Sequence, residues 1–478
     1  MAATADVDSS GAREDIKEPL IQQTMNSADE AQPKNKESVA MVYFSTIVAI
    51  WGSFEFGSCI GFSSPAQAAI SKDLDLSLAE YSLVGSILTI GAMIGAITSG
   101  PIADFIGRKG AMRVSVAFCV VGWLLIYYAQ GAVALDIGRL STGYGMGVFS
   151  YVVPIFIAEI APKDLRGGLT TLNQLMIVCG VSTGYIVGTV LPWRPLALTG
   201  LVPCLILLVG LLFVPESPRW LAKMRRQKEF EVALRKLRGK DADISREAAE
   251  IEDYIETLQH LPKSSMMDLF QKRYVRSLII GAGLMCCQQF GGINGVCFYV
   301  SQIFVSAGFP STIGTILYAC LQIPVTAMGA ALIDRVGRRA LLLTSGTGLV
   351  IGCILCAISF YMKFHELSLD AVPALAVTGV LVYVGSFSVG MGAIPWVIMS
   401  EIYPINIKGV AGSLLTLLNW FISWICSYTF NYLMSWSSYG TFIIYGVVNL
   451  LAVFFIAKFV PETKGRTLEE IQASINKS

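Results

Sequence analysis

The sequence predicts an all-α membrane protein with twelve transmembrane helices arranged as two six-helix repeats. Hydrophobic residues make up 54% of the 478 residues and charged residues only 14%, whereas soluble proteins carry about 25% charged residues. The apolar residues are concentrated in segments long enough to cross a bilayer, which takes about 20 residues. A charged motif in the first half, GPIADFIGRK, also recurs in the second half as DRVGRR.

Twelve such segments follow one another along the chain, and many contain the glycine and proline that membrane helices tolerate. We number them spans 1 to 12. They cover residues 42–62, 83–103, 112–130, 133–158, 170–190, 195–214, 277–303, 311–333, 340–361, 371–398, 409–432 and 440–460.

The polar segments divide these spans into two bundles. We expect a cytosolic N-terminal tail over 1–38, a first six-helix bundle over 39–214, a linker over 215–276, a second bundle over 277–461 and a cytosolic tail over 462–478. The linker has mixed charge and helical periodicity, which predicts short amphipathic helices. Basic residues are concentrated in this linker and in the even-numbered connections, so the positive-inside rule places both termini in the cytosol.

Three motif pairs recur in the same order in the two halves. DFIGRK pairs with DRVGRR, PIFIAEIAPKDLRG with PWVIMSEIYPINIKG, and PESPRW with PETKGR. All lie at the predicted cytosolic ends of helices, and such repeats build transporters that rock one half against the other. We expect ion-pair networks that latch the cytosolic side while the outside is open; the alternative is that the charges only set topology. The network residues are Asp104, Arg108, Glu159 and Arg166 in one half, and Asp334, Arg338, Glu401 and Lys408 in the other.

Eight motifs in order make the chain resemble the sugar porter family of the major facilitator superfamily. They are GPIADFIGRK, GRLSTGYGMG, VPIFIAEIAPKDLRG, PESPRW, QQFGGIN, DRVGRR, IPWVIMSEIYP and PETKG, within about 40–465. FEFGSCIGFSSPAQ and EPLI are most similar to the early-responsive-to-dehydration-like plant monosaccharide transporters. The resemblance implies a transporter of monosaccharides such as hexoses, without a cofactor, that works by alternating access in the lipid bilayer.

The resemblance also implies which side chains bind sugar. Sugar hydroxyls are matched by amides, which donate and accept hydrogen bonds, and sugar rings by aromatic faces. Gln322 stands where many relatives have Asn. The alternative for any single amide is a hydrogen bond between helices. The implied binding residues are Gln174, Gln288, Gln289, Asn294, Gln322, Trp396, Asn419 and Trp420, and the implied external gate is Phe298 with Tyr299.

Two local features bear on the shape of this site. Gln288 and Gln289 are consecutive, so a regular helix cannot point both the same way. Gly291, Gly292 and Gly295 follow them, and we therefore expect span 7 to be broken there. Pro395 predicts a similar break in span 10.

Energy coupling is less directly indicated. Proton-driven relatives carry an Asp in span 1 paired with an Arg in span 4; Arg139 matches the Arg, but Cys59 replaces the Asp. Glu55 lies one helical turn before Cys59, on the same face, at a depth where a carboxylate is costly and commonly functional. We expect proton coupling through Glu55 pairing with Arg139. A permanent structural role for Glu55, with facilitated diffusion, is the runner-up.

Other functional classes fit less well. There is no Walker A sequence for an ATP-driven pump, no acid–base constellation for an enzyme, and a net charge of +1 that does not indicate nucleic-acid binding. All eleven cysteines lie within spans and only two histidines occur, so we expect no disulfide and no metal site. A uniporter of sugars or polyols and a non-transporting sugar sensor remain open.

The N-terminal tail carries a candidate sorting signal. In EDIKEPLIQQ, acidic residues precede Leu20 and Ile21, a pattern similar to the acidic dileucine signals that direct plant transporters to the vacuolar membrane. We therefore expect sorting adaptors as partners and favour the vacuolar over the plasma membrane. A plain solvated tail is the alternative.

Overall fold

The computed structural model describes residues 39–162, 164–239, 242–260, 265–466, 470–471 and 474–475. The tail, with Leu20 and Ile21, lies outside them. The described part is built of helices. They are α1 Ala40–Gly61, α2 Ser63–Asp73, α3 Leu78–Tyr128, α4 Ala132–Ile160, α5 Arg166–Gly188, α6 Trp193–Thr199, α7 Leu201–Phe213, α8 Pro218–Lys223, α9 Gln227–Arg238, α10 Ser245–His260, α11 Lys272–Phe290, α12 Ile293–Ser306, α13 Ser311–Val336, α14 Arg338–Phe364, α15 Val372–Ser386, α16 Ile394–Ile402, α17 Ile405–Trp436 and α18 Ser438–Phe459.

Ten helical segments of the described chain are long and apolar enough to cross a membrane. One of them, α3, carries both span 2 and span 3, because the helix continues through a kink at Gly107 (φ 85°, ψ 171°). Span 7 is divided between α11 and α12, so neither part reaches spanning length on its own. With these two adjustments the helices account for the twelve predicted spans, and the twelve-helix fold is confirmed.

Both predicted mid-membrane breaks are present. α11 ends at Phe290, and Gly292 adopts a left-handed conformation (φ 98°) before α12 begins, which favours glycine. The Tyr383 hydroxyl (2.9 Å) and the Asn449 amide (3.1 Å) donate to the Gly291 carbonyl freed by this break. In span 10, a π-helical turn over 387–391 separates α15 from α16, and Pro395 lies in the first turn of α16.

The two bundles touch at the end remote from the repeated charged motifs. Gln67 donates to Gln302 (2.6 Å), Ser64 to Ser301 (2.9 Å) and Asn431 to Ser82 (3.1 Å). In each pair one residue belongs to α1–α7 and the other to α11–α18. We call this the closed end, because these hydrogen bonds join the halves across it.

At the other end, which we call the charged end, the halves are separated. Gly167 and Gly168 begin α5, and Gly409 and Gly412 lie in the first turns of α17. A Cβ atom built on any of them would have no neighbour within 4 Å. No described hydrogen bond or ion pair joins the two halves at this end, whereas several do at the other. The described structure is therefore closed at one end and open at the charged end.

The linker forms a small helical layer beneath the first bundle. α8, α9 and α10 enclose their own apolar cluster around Trp220, Phe230 and Ile251. The buried Arg238 ties α9 to α10 through Glu247 (2.7 Å) and to the end of α4 through the Ile160 carbonyl (3.0 Å). The short helices expected in the linker are present.

Candidate functional site

Four of the predicted sugar-binding amides form one connected network at the break between α11 and α12. Asn419 Nδ2 donates to Gln288 Oε1 (2.9 Å), and its Oδ1 accepts from Gln289 Nε2 (3.1 Å). Asn294 donates to Gln289 and to Ser423 Oγ (2.6 Å). One amide on α17 therefore links the two consecutive glutamines.

The network also connects to the break in span 10. Gln288 Nε2 donates to the carbonyls of Met391 (2.7 Å) and Gly392 (3.1 Å), which the π-helical turn and the following residues leave accessible. The amides thus connect α17 to both sides of the break between α11 and α12 and to the irregular segment of span 10. The same polar groups therefore contact both helix breaks.

The other predicted binding residues surround this network without joining its hydrogen bonds. Gln322 is buried on α13, and its Oε1 has no hydrogen-bond partner among the described residues; the same holds for Thr326 Oγ1 one turn later. Gln174 on α5 and Trp396 on α16 are half-buried. Unpartnered buried polar atoms are costly, so the Gln322 face of α13 can accept a polar ligand.

Trp420 places an aromatic face between the two halves. It is half-buried on α17, and its ring lies 6.2 Å from that of Phe56 on α1, at an interplanar angle of 51°. A ring held at the contact between the bundles changes its surroundings when one bundle rocks against the other. Ser423 and Thr326 were not predicted; each lies four residues after a predicted amide, on the same helix face.

The predicted gate residues lie buried at the closed end. Tyr299 stacks on Phe430 (5.0 Å, 3°) and meets Tyr81 of the first half edge to face (6.3 Å). The tyrosine hydroxyl lies so near Gly85 that a Cβ there would approach it to 2.4 Å. Phe298 beside it is also buried, so both predicted gate residues lie within the packed closed end.

Glu55 and Arg139 are both buried, but no ion pair joins them in the described structure. Glu55 Oε1 accepts from Trp123 Nε1 (2.6 Å) and Cys59 Sγ (3.6 Å), and its Oε2 has no partner among the described residues. Arg139 donates to the Cys59 carbonyl (2.9 Å) and to the Ser63 hydroxyl. The expected pairing is therefore not met in this conformation, because four residues of helix rise place Glu55 about 6 Å from the level of Cys59.

The thiols around Glu55 are not oxidised to disulfides. All eleven cysteines are free. The Glu55 carboxylate and the sulfurs of Cys59 and Cys119 lie within 4.8 Å of one another, so polarisable thiols surround the carboxylate.

At the charged end, the repeated motifs form one ion-pair cluster in each half. In the first, Arg108 donates to Glu159 through two nitrogens (2.8 and 2.7 Å) and pairs with Asp104 (3.2 Å). In the second, Arg338 pairs with Glu401 (3.0 Å). The Asp334 side chain lies outside the described residues.

Arg166 and Lys408 do not take part as expected. Neither forms an ion pair with a described residue in this conformation. The carboxylates they were expected to meet are engaged by other groups: Glu159 accepts from Ser217 Oγ (2.6 Å), and Glu401 from Thr463 Oγ1 (2.5 Å), in addition to the arginines. The contacts that the described residues make in both clusters are thus internal to each half.

The glutamates of the third motif pair, PESPRW and PETKGR, make the same backbone contact in the two halves. Glu216 accepts from the backbone N–H groups of Arg108 (3.2 Å) and Lys109 (3.1 Å), and Glu462 accepts from Arg338 (2.9 Å) in the same way. Each carboxylate thereby lies at the start of the helical segment that follows a positive-φ glycine, Gly107 or Gly337, where negative charge is stabilised. The sequence repeat showed the order of these motifs but not this contact.

The two glutamates differ in electrostatic state. Burial raises the pKa of Glu216 above its ordinary value of 4.5 even though backbone N–H donors oppose it. Burial also acts to raise the pKa of Glu462, but the N–H groups of Lys464, Arg338, Arg339 and Thr463 outweigh it and lower the pKa. The same motif therefore raises the pKa of its glutamate in the first half and lowers it in the second.

Comparison with known proteins places this chain among sugar transporters. Residues 44–474 match the family model "Sugar (and other) transporter". The chain is 65% identical over 467 residues to sugar transporter ERD6-like 7 of Arabidopsis thaliana, covering 98% of this chain and 100% of the relative. It is 48% identical to sugar transporter ERD6 of the same plant, covering 94% and 91%.

Solved structures agree. The inward-open conformation of the xylose transporter XylE from E. coli matches with a TM-score of 0.76 and 27% identity, over 91% of this chain and 99% of that one. The proton:xylose symporter XylE bound to 6-bromo-6-deoxy-D-glucose matches with a TM-score of 0.75 and 26% identity, over 91% and 99%.

Proposed function

The chain belongs to the sugar (and other) transporter family, and we propose that it moves monosaccharides across a membrane by alternating access. The observation that carries the proposal is the amide network of Gln288, Gln289, Asn294 and Asn419, which lies at a helix break in a molecule that is closed at one end and open at the other. The family and the fold are those of a transporter and not of an enzyme.

The amides bind a sugar by exchanging partners. In the present conformation they satisfy one another, so a hydroxyl-rich ligand replaces amide–amide bonds with amide–hydroxyl bonds at little net cost. Gln322 Oε1 and Thr326 Oγ1 add acceptors that have no other partner among the described residues, and Trp396 and Trp420 offer aromatic faces to the ring.

The test is labelled-hexose flux in vesicles with the full chain. Gln289→Ala removes a donor and an acceptor that serve the sugar, and we expect flux to fall by about tenfold or more at an unchanged protein level. Gln130→Ala, an exposed amide in the loop before α4, is the control and should transport normally. Normal flux in Gln289→Ala would refute the site.

The charged end is the cytosolic end in this proposal. The positive-inside rule supports that orientation, and the likeness to an inward-open transporter agrees with it. The Arg108 and Arg338 clusters then act as latches, which engage across the halves when the closed end opens. Asp104, Glu159, Arg166, Asp334, Glu401 and Lys408 are their partners in that state.

Proton coupling through Glu55 is the first of two energetic schemes. A buried carboxylate with one oxygen that has no partner among the described residues can exchange a proton when rocking exposes it, and the similar protein XylE is a proton:xylose symporter. Facilitated diffusion of sugars or polyols is the second scheme. It is favoured by the absence of an ion pair between Glu55 and Arg139, both of which the structure describes.

Glu55→Gln separates the two schemes, because it keeps the Trp123 hydrogen bond and removes the titratable group. A coupled protein should lose pH-driven accumulation and keep sugar exchange. If flux in the unmodified protein is already insensitive to pH and to a protonophore, Glu55 is structural and the protein is a uniporter.

The membrane in which the protein works is set, in this proposal, by Leu20 and Ile21 in the N-terminal tail, read by sorting adaptors that direct it to the vacuole. The double substitution Leu20→Ala, Ile21→Ala should move a fluorescently tagged protein to another membrane without altering its transport kinetics. An unchanged location would reject the sorting role.

A further inference from the structure

A cavity lies at the charged end, between the linker helices and the first bundle, and none of the residues of the amide network lines it. It has a volume of about 410 Å³. Its walls come from α8 and α10, and the Arg108–Glu159 pair forms its floor. The wall residues are Arg219, Lys223, Tyr254, Ile255 and Leu258.

The cationic side of this cavity carries charge that the described residues do not neutralise. Arg219 lies over the Tyr254 ring (5.5 Å) and forms no ion pair with a described residue. The one carboxylate in the lining, that of Glu159, is already paired with Arg108 (2.7 Å). Lys223 is shared with Asp104 (2.9 Å), both side chains being half-exposed.

We propose that this cavity binds a phosphate monoester. Arg219, which has no acidic partner among the described residues, and Lys223, whose pair with Asp104 is half-exposed, both line the cavity. Their two positive charges match the dianion that a monoester carries near neutral pH. Guanidinium groups bind phosphate oxygens through paired N–H bonds, and an ammonium such as Lys223 adds a point charge. A diester headgroup or a sulfate ester, each with one negative charge, matches the site less well.

The opposite wall indicates what the phosphate is attached to. Tyr254, Ile255 and Leu258 present an aromatic face and two aliphatic side chains from one side of α10. Such a wall packs against the carbon face of a polyol ring while the phosphate meets the cations. A phosphorylated hexose and the phosphorylated inositol ring of a lipid headgroup share this chemistry.

Occupancy of the cavity depends on conformation. α8 is fixed to the latch residues, since Trp220 Nε1 donates to the Asp104 carbonyl (2.9 Å) and Ser217 Oγ to Glu159 (2.6 Å). The Arg108–Glu159 floor of the cavity belongs to the proposed latch, so engagement of the latch when the charged end closes changes the site. A phosphate monoester then favours the conformation open at the charged end and slows transport. This last step rests on the proposed function; binding itself does not.

The test measures binding to the full chain in detergent at low salt, by calorimetry and by the shift in thermal unfolding. Glucose 6-phosphate should bind and raise the unfolding temperature, whereas glucose 6-sulfate at the same concentration should bind at least tenfold more weakly. Arg219→Gln and Lys223→Gln should each weaken glucose 6-phosphate binding by about tenfold, the value of one charge-assisted hydrogen bond.

Controls separate this site from general charge effects. Arg246→Gln removes an arginine from the same linker whose side chain is 91% exposed, outside the cavity, and should bind as the unmodified protein does. Arg219→Lys should give an intermediate affinity, because lysine keeps the positive charge but lacks the paired N–H donors of the guanidinium group. Equal affinity in Arg219→Gln and the unmodified protein would overturn the proposal.

Two further arms identify the source of the phosphate. Vesicles containing phosphatidylinositol 4-phosphate are compared with vesicles of phosphatidylcholine alone, using the same variants. Binding of the soluble ester identifies a metabolite site, and binding of the lipid alone identifies a headgroup site. Failure of both phosphate monoesters to bind would overturn the proposal. Binding without any effect on hexose flux would keep the site and refute its link to the latch.

Discussion

The two charged-end clusters arise from the same motifs but differ in the number of hydrogen bonds between their charged groups and in the burial of these groups. In the first half, Glu159 receives two bonds from Arg108, and the arginine and carboxylate side chains are only 10% and 14% exposed. In the second half, Arg338 reaches Glu401 through Nη2 at 3.0 Å, with 14% and 26% exposure. Sequence repetition therefore conserved the pairing and not its burial.

The linker accounts for the difference. α8 covers the first cluster and adds bonds of its own, from Trp220 to the Asp104 carbonyl (2.9 Å) and from Lys223 to the Asp104 carboxylate (2.9 Å). The segment after α18 contributes Thr463 and Glu462 to the second cluster, without a described helix in the place of α8. The first cluster is thus the more firmly held, and the second is the one positioned to rearrange first.

The largest difference is expected between the two arginine deletions. Arg108→Ala leaves Glu159 buried without its cation, which costs about 3–5 kcal/mol for a buried pair, whereas Arg338→Ala exposes the more accessible Glu401 and should cost less than half as much. Thermal unfolding of the two variants measures this. Both should slow hexose turnover while leaving sugar affinity from the open side nearly unchanged.

Lysine replacements serve as controls for charge. Arg108→Lys loses the two-nitrogen contact and should recover only part of the stability, while Arg338→Lys should recover most of it. Equal losses for the two alanine variants would show that burial by α8 does not strengthen the first cluster. A change confined to sugar affinity would contradict the latch.

A second contrast concerns pH. The pKa of Glu216 is raised by burial, so its contribution to stability is present below about pH 4.5 and is lost as the pH rises through the raised pKa. The pKa of Glu462 is lowered by backbone N–H donors, so its contribution is present above pH 4.5 and is lost as the pH falls through the lowered pKa.

Glutamine variants should reveal these opposite signs. Between pH 4 and 7, the unfolding temperature of Glu216→Gln should rise relative to the unmodified protein as the pH increases, and that of Glu462→Gln should fall relative to it. Unfolding temperatures measured across this range test the pair. Slopes of the same sign for both variants would show that the two carboxylates occupy equivalent environments.

The sequence predicted the repeat and the residues of the clusters, because motif order and charge type are visible in it. It also predicted the break after Gln289, since consecutive glycines permit a left-handed residue such as Gly292. The partner of Glu55 was not predicted. Trp123 lies 68 residues away on another helix, and only packing decides that the indole, rather than Arg139, reaches the carboxylate.

The smallest contrast lies in the hydroxyls that follow the two glutamates. Ser217 donates to Glu159 (2.6 Å) and also accepts from Trp220 N (3.3 Å) as the N-cap of α8, whereas Thr463 donates to Glu401 (2.5 Å) and caps no described helix. A hydrogen bond to a charged group contributes about 1.5–3 kcal/mol and an N-cap about 1 kcal/mol. Ser217→Ala should therefore destabilise the protein by about 1 kcal/mol more than Thr463→Ala, measured by thermal unfolding.

Ser217→Thr and Thr463→Ser keep the hydroxyls and should restore most of the loss. If Thr463→Ala proves the more damaging variant, the second cluster depends on its hydroxyl more than the first does, and the order of strength inferred from burial is reversed.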